Sequence, residues 1–233
     1  MYKLTDGFIN LLKWPVAVCL LLSAPALINS YMYFDFFRFK FYMLGAGILF
    51  FIFTLFTAGY ATKQNMQIIS HELTHTFFAF LTLHKAGRIR LHPDGSGGSM
   101  QLKGHGNWLI SLSPYFFPLF AFFYMLIMPF LLEATNSHWT IYAILGYFLA
   151  YHWLVVLTQA NLQQTDLSQE GFIFSYIVII SANLFTTGCV LAFTSKSWQG
   201  IFTFIQLINK LNLEMFQKCY HLIMTNFQSF FVG

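Results

Sequence analysis

The sequence predicts an all-α polytopic membrane protein, and three observations carry that prediction. Hydrophobic residues make up 57% of the 233 positions, thirty of them phenylalanine, while 9% are charged; a soluble domain of this length carries about a quarter charged residues. Apolar runs recur at lengths that match a hydrocarbon layer of about 30 Å. Polar residues gather in one sizeable loop, Lys85 to Asn107.

Taken in order, the runs place about six transmembrane helices near residues 14–29, 41–60, 66–83, 108–132, 139–157 and 171–193. In the first, Ala24-Pro25-Ala26 follows a short apolar run and mimics a signal-peptidase box. The long region before it, with Asp6 inside, weighs against cleavage, and the segment is kept as a span. The third span is the least hydrophobic. After it, Gly87-Arg88-Ile89-Arg90-Leu91-His92 alternates apolar and polar, Pro93-Asp94-Gly95-Ser96-Gly97-Gly98 supplies turn chemistry, and Ser99-Met100-Gln101-Leu102 alternates again, which reads as a β-hairpin. Its edge strand would hold an extended substrate, or it is a plain connector. Past Lys196, residues 201–230 mix apolar residues at helical spacing with Lys210, Glu214, Lys218 and His221. That is a C-terminal amphipathic helix, lying in the interface or packed back on the bundle.

No repeat or low-complexity segment interrupts the chain, so residues 1–233 are read as a single domain. Cys19, Cys189 and Cys219 show no C-x-x-C spacing and indicate neither a disulfide framework nor a thiolate zinc site. The net charge of +4 is spread out and implies no nucleic-acid partner. With six spans, Lys3, Lys13, Lys63, Lys196, Lys210 and Lys218 fall on one side and Arg38, Lys40, Lys85, Arg88, Arg90 and Lys103 on the other. That balance sets no orientation by the positive-inside rule.

The chemistry is concentrated in the third span, at His71-Glu72-Leu73-Thr74-His75. Positions i and i+4 share a helix face, so both imidazoles can hold one zinc ion while Glu72 reaches a zinc-bound water as general base. Ionisable groups inside a membrane helix are expensive to keep without a partner or a function. Catalytic zinc takes three protein ligands, and the chain offers four aspartates and four glutamates for the third place. Asp166 fits best, at the end of an uncharged polar stretch, Thr158 to Asp166, that survives at membrane depth only in a cavity or against protein. Glu170, one helical turn later, is the substitute. His84, His92, His105, His138, His152 and His221 are scattered and take no metal role. Asn183 in the last span either grips an unwound substrate or its oxyanion, or makes a helix-to-helix hydrogen bond.

The set Ser70-His71-Glu72-Leu73-Thr74-His75, the Gly87-Arg88-Ile89-Arg90-Leu91 and Pro93-Asp94-Gly95-Ser96-Gly97 hairpin, and an apolar span opening near Trp108 with Ser113-Pro114-Tyr115 resembles the site-2 protease superfamily of intramembrane zinc metallopeptidases, in its compact bacterial branch without a PDZ domain. The resemblance covers residues 55–132 clearly and the Asp166 region faintly. It implies His71, His75 and Asp166 as zinc ligands and Glu72 as the catalytic base. Thr74 stands where the family usually has Gly, and Thr165-Asp166-Leu167 replaces its usual Asp-Gly.

The expected function is therefore zinc-dependent hydrolysis of peptide bonds in membrane-protein substrates, in a lipid bilayer, by a multi-pass protein of a bacterial inner membrane. The same residues would also serve an inactive scaffold of this fold or a membrane metal-ion carrier. Nothing in the sequence sets the oligomeric state.

Overall fold

In this computed structural model the described residues are 2–34, 39–57, 60–91, 98–102 and 106–232. A short helix, α1 (Tyr2–Leu11), leads into α2 (Lys13–Tyr33), then α3 (Phe39–Thr57) and α4 (Tyr60–Leu81). Two strands, β1 (Ala86–Leu91) and β2 (Gly98–Leu102), follow; they pair antiparallel, with Ile89 opposite Met100 and Leu91 opposite Gly98. Residues 92–97, which hold most of the turn read from the sequence, lie outside the described residues, as do Arg38 and Lys103. Then come α5 (Trp108–Leu112), a 3-10 turn (Ser113–Tyr115), α6 (Leu119–Ala134), α7 (His138–Gln159), α8 (Thr165–Glu170), α9 (Phe172–Lys196) and α10 (Trp198–Val232). The architecture is a helical bundle. The two strands are its minor extended element.

The six spans need correction. Among the described residues three helices, α2, α7 and α9, are long and apolar enough to cross a membrane, or four spans if the bent pair Trp108–Tyr115 and Leu119–Ala134 counts as one. Among the described residues the second run contributes a shorter apolar helical stretch, Tyr42–Phe56, within α3. In α4, Lys63, Gln64, Asn65, Gln67, His71, Glu72 and His75 dilute the hydropathy. The 108–132 run bends by 77° where Pro114 and Pro118 interrupt it. These apolar helices mark an integral membrane protein.

α4 keeps its polar face because its hydroxyls bond its own backbone. Ser70 Oγ donates to the Gln67 carbonyl at 2.9 Å, Thr74 Oγ1 to Ser70 at 2.7 Å and Thr76 Oγ1 to Glu72 at 2.8 Å. Among the described residues no buried side-chain nitrogen or oxygen lacks a partner. Two apolar cores support the bundle. One gathers Phe78, Trp108, Ile110, Tyr115, Leu167 and Phe174 beside the motif helix; the other packs α3, α6, α7 and α9 through Leu44, Met125, Leu145, Leu149 and Phe193.

α3 and α7 approach backbone to backbone. A Cβ on Gly47 would lie 1.7 Å from the Ala143 carbonyl oxygen, and one on Gly146 would lie 2.0 Å from that of Leu44. Small residues make such contacts possible between membrane helices. The C-terminal helix packs back on the bundle over its first turns. Its first half buries Phe204 and Ile208 against the core that includes Leu27 and Ala192, while Leu213, Phe216, Tyr220, Leu222 and Ile223 are exposed.

Candidate metal centre

Three side chains from two distant stretches meet at one point. His71 and His75, one turn apart on α4, bring their Nε2 atoms to 3.0 Å from each other. Asp166, in the first turn of α8, places Oδ2 at 3.4 Å from each of them. The two imidazoles are buried and the carboxylate is about three-quarters covered, with 25% of its side chain exposed. Among the described residues this is the group of His, Cys, Asp and Glu side chains whose ligand atoms all lie within 4.8 Å of one another.

The other ring nitrogens explain why these atoms face inward. His71 Nδ1–H donates to Gln159 Oε1 at 2.6 Å, and His75 Nδ1–H donates to the Ile110 carbonyl at 2.8 Å. With the proton on Nδ1, each neutral imidazole presents a lone pair at Nε2. Two lone pairs and a carboxylate at 3.0 to 3.4 Å repel one another unless a cation or a proton lies between them. A tetrahedral zinc site with bonds of about 2.0–2.2 Å sets its ligand atoms about 3.3–3.6 Å apart. The donor set therefore fits a divalent ion in chemistry, and both spacings to Asp166 match such a site, while the His71–His75 spacing is shorter. Burial pushes the Asp166 carboxyl up; when the imidazoles carry a proton on Nε2, their hydrogen bonds to Asp166 more than reverse this and hold its carboxyl well below the usual carboxylate range.

A second ring of groups holds Asp166. Tyr115, fully buried in the 3-10 turn, donates its hydroxyl to Asp166 Oδ2 at 3.1 Å, with Gln164 Oε1 at 3.4 Å. Its ring stands edge-on to His71 at 5.1 Å. Gln159 is the last residue of α7, so that helix ends at the level of the cluster. The following stretch needs only a short excursion to deliver Asp166.

Glu72 is buried beside the two histidines on α4, and its charge acts on both His75 and Tyr115. Glu170 stands apart from the cluster: its Oε2 is engaged by Lys13 Nζ at 2.8 Å. Asn183 is committed to helix packing. Its Nδ2 donates to the carbonyls of Tyr115 at 2.6 Å and Ile179 at 2.8 Å, and its Oδ1 faces His152 Nε2 at 2.9 Å. Gln159 and Tyr115 lay inside stretches that the sequence marks, the uncharged polar run and the Ser-Pro-Tyr turn. The Ile110 carbonyl has no side-chain signal at all.

A small cavity reaches His71, lined by Ser70, Thr74, Phe120, Phe148 and Tyr151 among others. Phe120, Phe148 and Tyr151 also wall a larger apolar cleft of about 200 Å³ that runs between α3, α4 and α7 past Phe51, Met66 and Tyr147.

A comparison with protein families matches residues 43–162, just over half of the chain, to the Peptidase M50B-like family. The chain belongs to that family, which is the site-2 protease family. The M50B-like match spans α4 with its two histidines and ends at Leu162, four residues before Asp166. Comparisons with curated proteins and with solved structures returned no match.

Proposed function

We propose that this M50B-like protein is a zinc-dependent intramembrane endopeptidase that cuts membrane-protein substrates. The observation that carries the reading is the convergence of His71 Nε2, His75 Nε2 and Asp166 Oδ2, with both Nδ1 atoms already committed to Gln159 and Ile110. Family membership supports a protease, and M50 peptidases are generally zinc-dependent.

In this reading His71, His75 and Asp166 hold the ion and Tyr115 fixes the carboxylate. When bound, zinc supplies a water with a pKa lowered to about 7 and a Lewis acid for the scissile carbonyl. Glu72 takes the proton as the water attacks and returns it to the leaving amine. A transmembrane helix already satisfies its own amides, so the substrate must unwind locally before it is cut. The cleft walled by Phe51, Met66, Tyr147 and Tyr151 gives an apolar segment a path toward His71. Thr74 narrows the inner end, with its hydroxyl turned back onto the Ser70 carbonyl. The β1–β2 edge would hold the unwound strand in extended form. The bacterial inner membrane is the proposed location.

Membrane proteomics of cells carrying wild-type protein or Glu72→Gln tests the function. A substrate yields a shorter fragment with wild type and accumulates uncut with the variant. Identical membrane proteomes, with both proteins demonstrably expressed, would favour an inactive scaffold, and metal flux retained by the variant would favour a carrier.

A further inference from the structure

The first thirteen residues lie outside the family match, yet they touch the metal centre's supports on two flanks. On the first flank stands Asp6, a carboxylate that α1 buries. Its Oδ1 accepts from Asn107 Nδ2 at 2.7 Å, and its Oδ2 accepts from His84 Nε2 at 3.0 Å. His84 follows the end of α4, and Asn107 immediately precedes α5, so the two residues bracket the β1–β2 segment. One carboxylate thus ties together both ends of that excursion. The Ile9 carbonyl and Asn10 Oδ1 add bonds from Trp108 Nε1 at 2.7 Å and Trp108 N at 3.2 Å.

The tie continues to a ligand. Asn107 is the N-cap of α5, its Oδ1 accepting from Ile110 N at 3.2 Å. The carbonyl of that same Ile110 receives the Nδ1–H of His75. A five-residue helix cannot hold its own position, so the cap and its anchor determine where that carbonyl points. On the second flank, Lys13 Nζ binds Glu170 Oε2 at 2.8 Å and sits 4.9 Å above the Phe174 ring. Glu170 closes α8, a six-residue helix that carries Asp166 one turn earlier.

We propose that the N-terminal segment, α1 and the start of α2, is a clamp for the metal centre, with Asp6 and Lys13 as positioning residues that hold His75 and Asp166 in register. The proposal rests on the metal-site reading above. A buried carboxylate bonded to two separate segments is expensive unless both bonds are kept, and its return here is a fixed geometry between α4 and α5.

The test measures Co2+ binding to purified, detergent-solubilised full-length protein, by chelator competition and by the visible absorption of the bound ion, well below each variant's melting temperature. Asp6→Ala and Asn107→Ala should each weaken binding about tenfold or more and alter the cobalt spectrum, since supports of this kind are typically worth 10- to 100-fold. The double variant should be little worse than either single one, because both break the same line. Lys13→Met should weaken binding as well, while Lys13→Glu combined with Glu170→Lys should restore it. Should Asp6→Ala fail to fold, Asp6→Asn, which keeps size and one acceptor, takes its place with a smaller loss in the same direction. Wild-type affinity and spectrum in folded Asp6 and Lys13 variants would overturn the clamp. No stoichiometric cobalt in the wild type would overturn the metal-site reading itself.

Discussion

A histidine has two ring nitrogens, and what one of them touches decides what the other can offer. In this chain Gln159 and Ile110 take the Nδ1 protons of His71 and His75, so the inward-facing Nε2 atoms are set by residues outside the cluster. Gln159→Leu should therefore lower zinc affinity about 10- to 100-fold by chelator competition while leaving the fold intact, because it frees the His71 ring to rotate and to change tautomer. Removing a member of the cluster should do more. His71→Ala, His75→Ala or Asp166→Ala should abolish stoichiometric zinc in purified protein, whereas Glu72→Gln should retain it and Glu170→Ala should lower it only in part. Retained zinc in both histidine variants would place the metal elsewhere. His71, Glu72 and His75 are legible in the sequence because spacing on one helix is a local property. Asp166 is legible as the best-placed of several carboxylates, by the uncharged polar stretch it ends, while its actual meeting with α4 depends on where α7 ends. Gln159 and Ile110 act through contacts with residues 88 and 35 positions away, and no local pattern announces those.

At the scale of elements, hydropathy finds the apolar stretches and misjudges how they are used. The segments at 14–29, 139–157 and 171–193 correspond to α2, α7 and α9 because each is a continuous apolar helix. The segment at 108–132 reads as one span in composition, yet Pro114 and Pro118 bend it so that Tyr115 turns toward Asp166. The bend serves the site. Between α3 and α7 the decisive residues are two glycines, which composition alone treats as neutral. Gly146→Val should force the Leu44 backbone away and destabilise the bundle by about 1–3 kcal/mol or more, read as a lowered melting temperature in detergent. The exposed face of α10 near Leu213 should tolerate substitution: Leu213→Ala should leave the melting temperature nearly unaltered, because that residue is 58% exposed.

For the whole molecule, the account joins a membrane bundle, a buried histidine pair with a carboxylate, and an apolar cleft leading to them. A protease needs all three together: the bundle to meet its substrate, the cluster to hold an ion, and the cleft to admit a chain. Glu72 lies next to the cluster in the chain without belonging to it, so in the proposed mechanism its substitution removes the base and spares the metal. The most direct measurement is cleavage of a single-span reporter by wild-type protein and Glu72→Gln, each reconstituted in lipid vesicles and each shown to carry one zinc per chain. The account predicts a defined fragment from the wild type and a rate lower by orders of magnitude from the variant at equal metal content. Equal cleavage by the two proteins, or none by zinc-loaded wild type on any reporter that the Glu72→Gln cells accumulate, would contradict it.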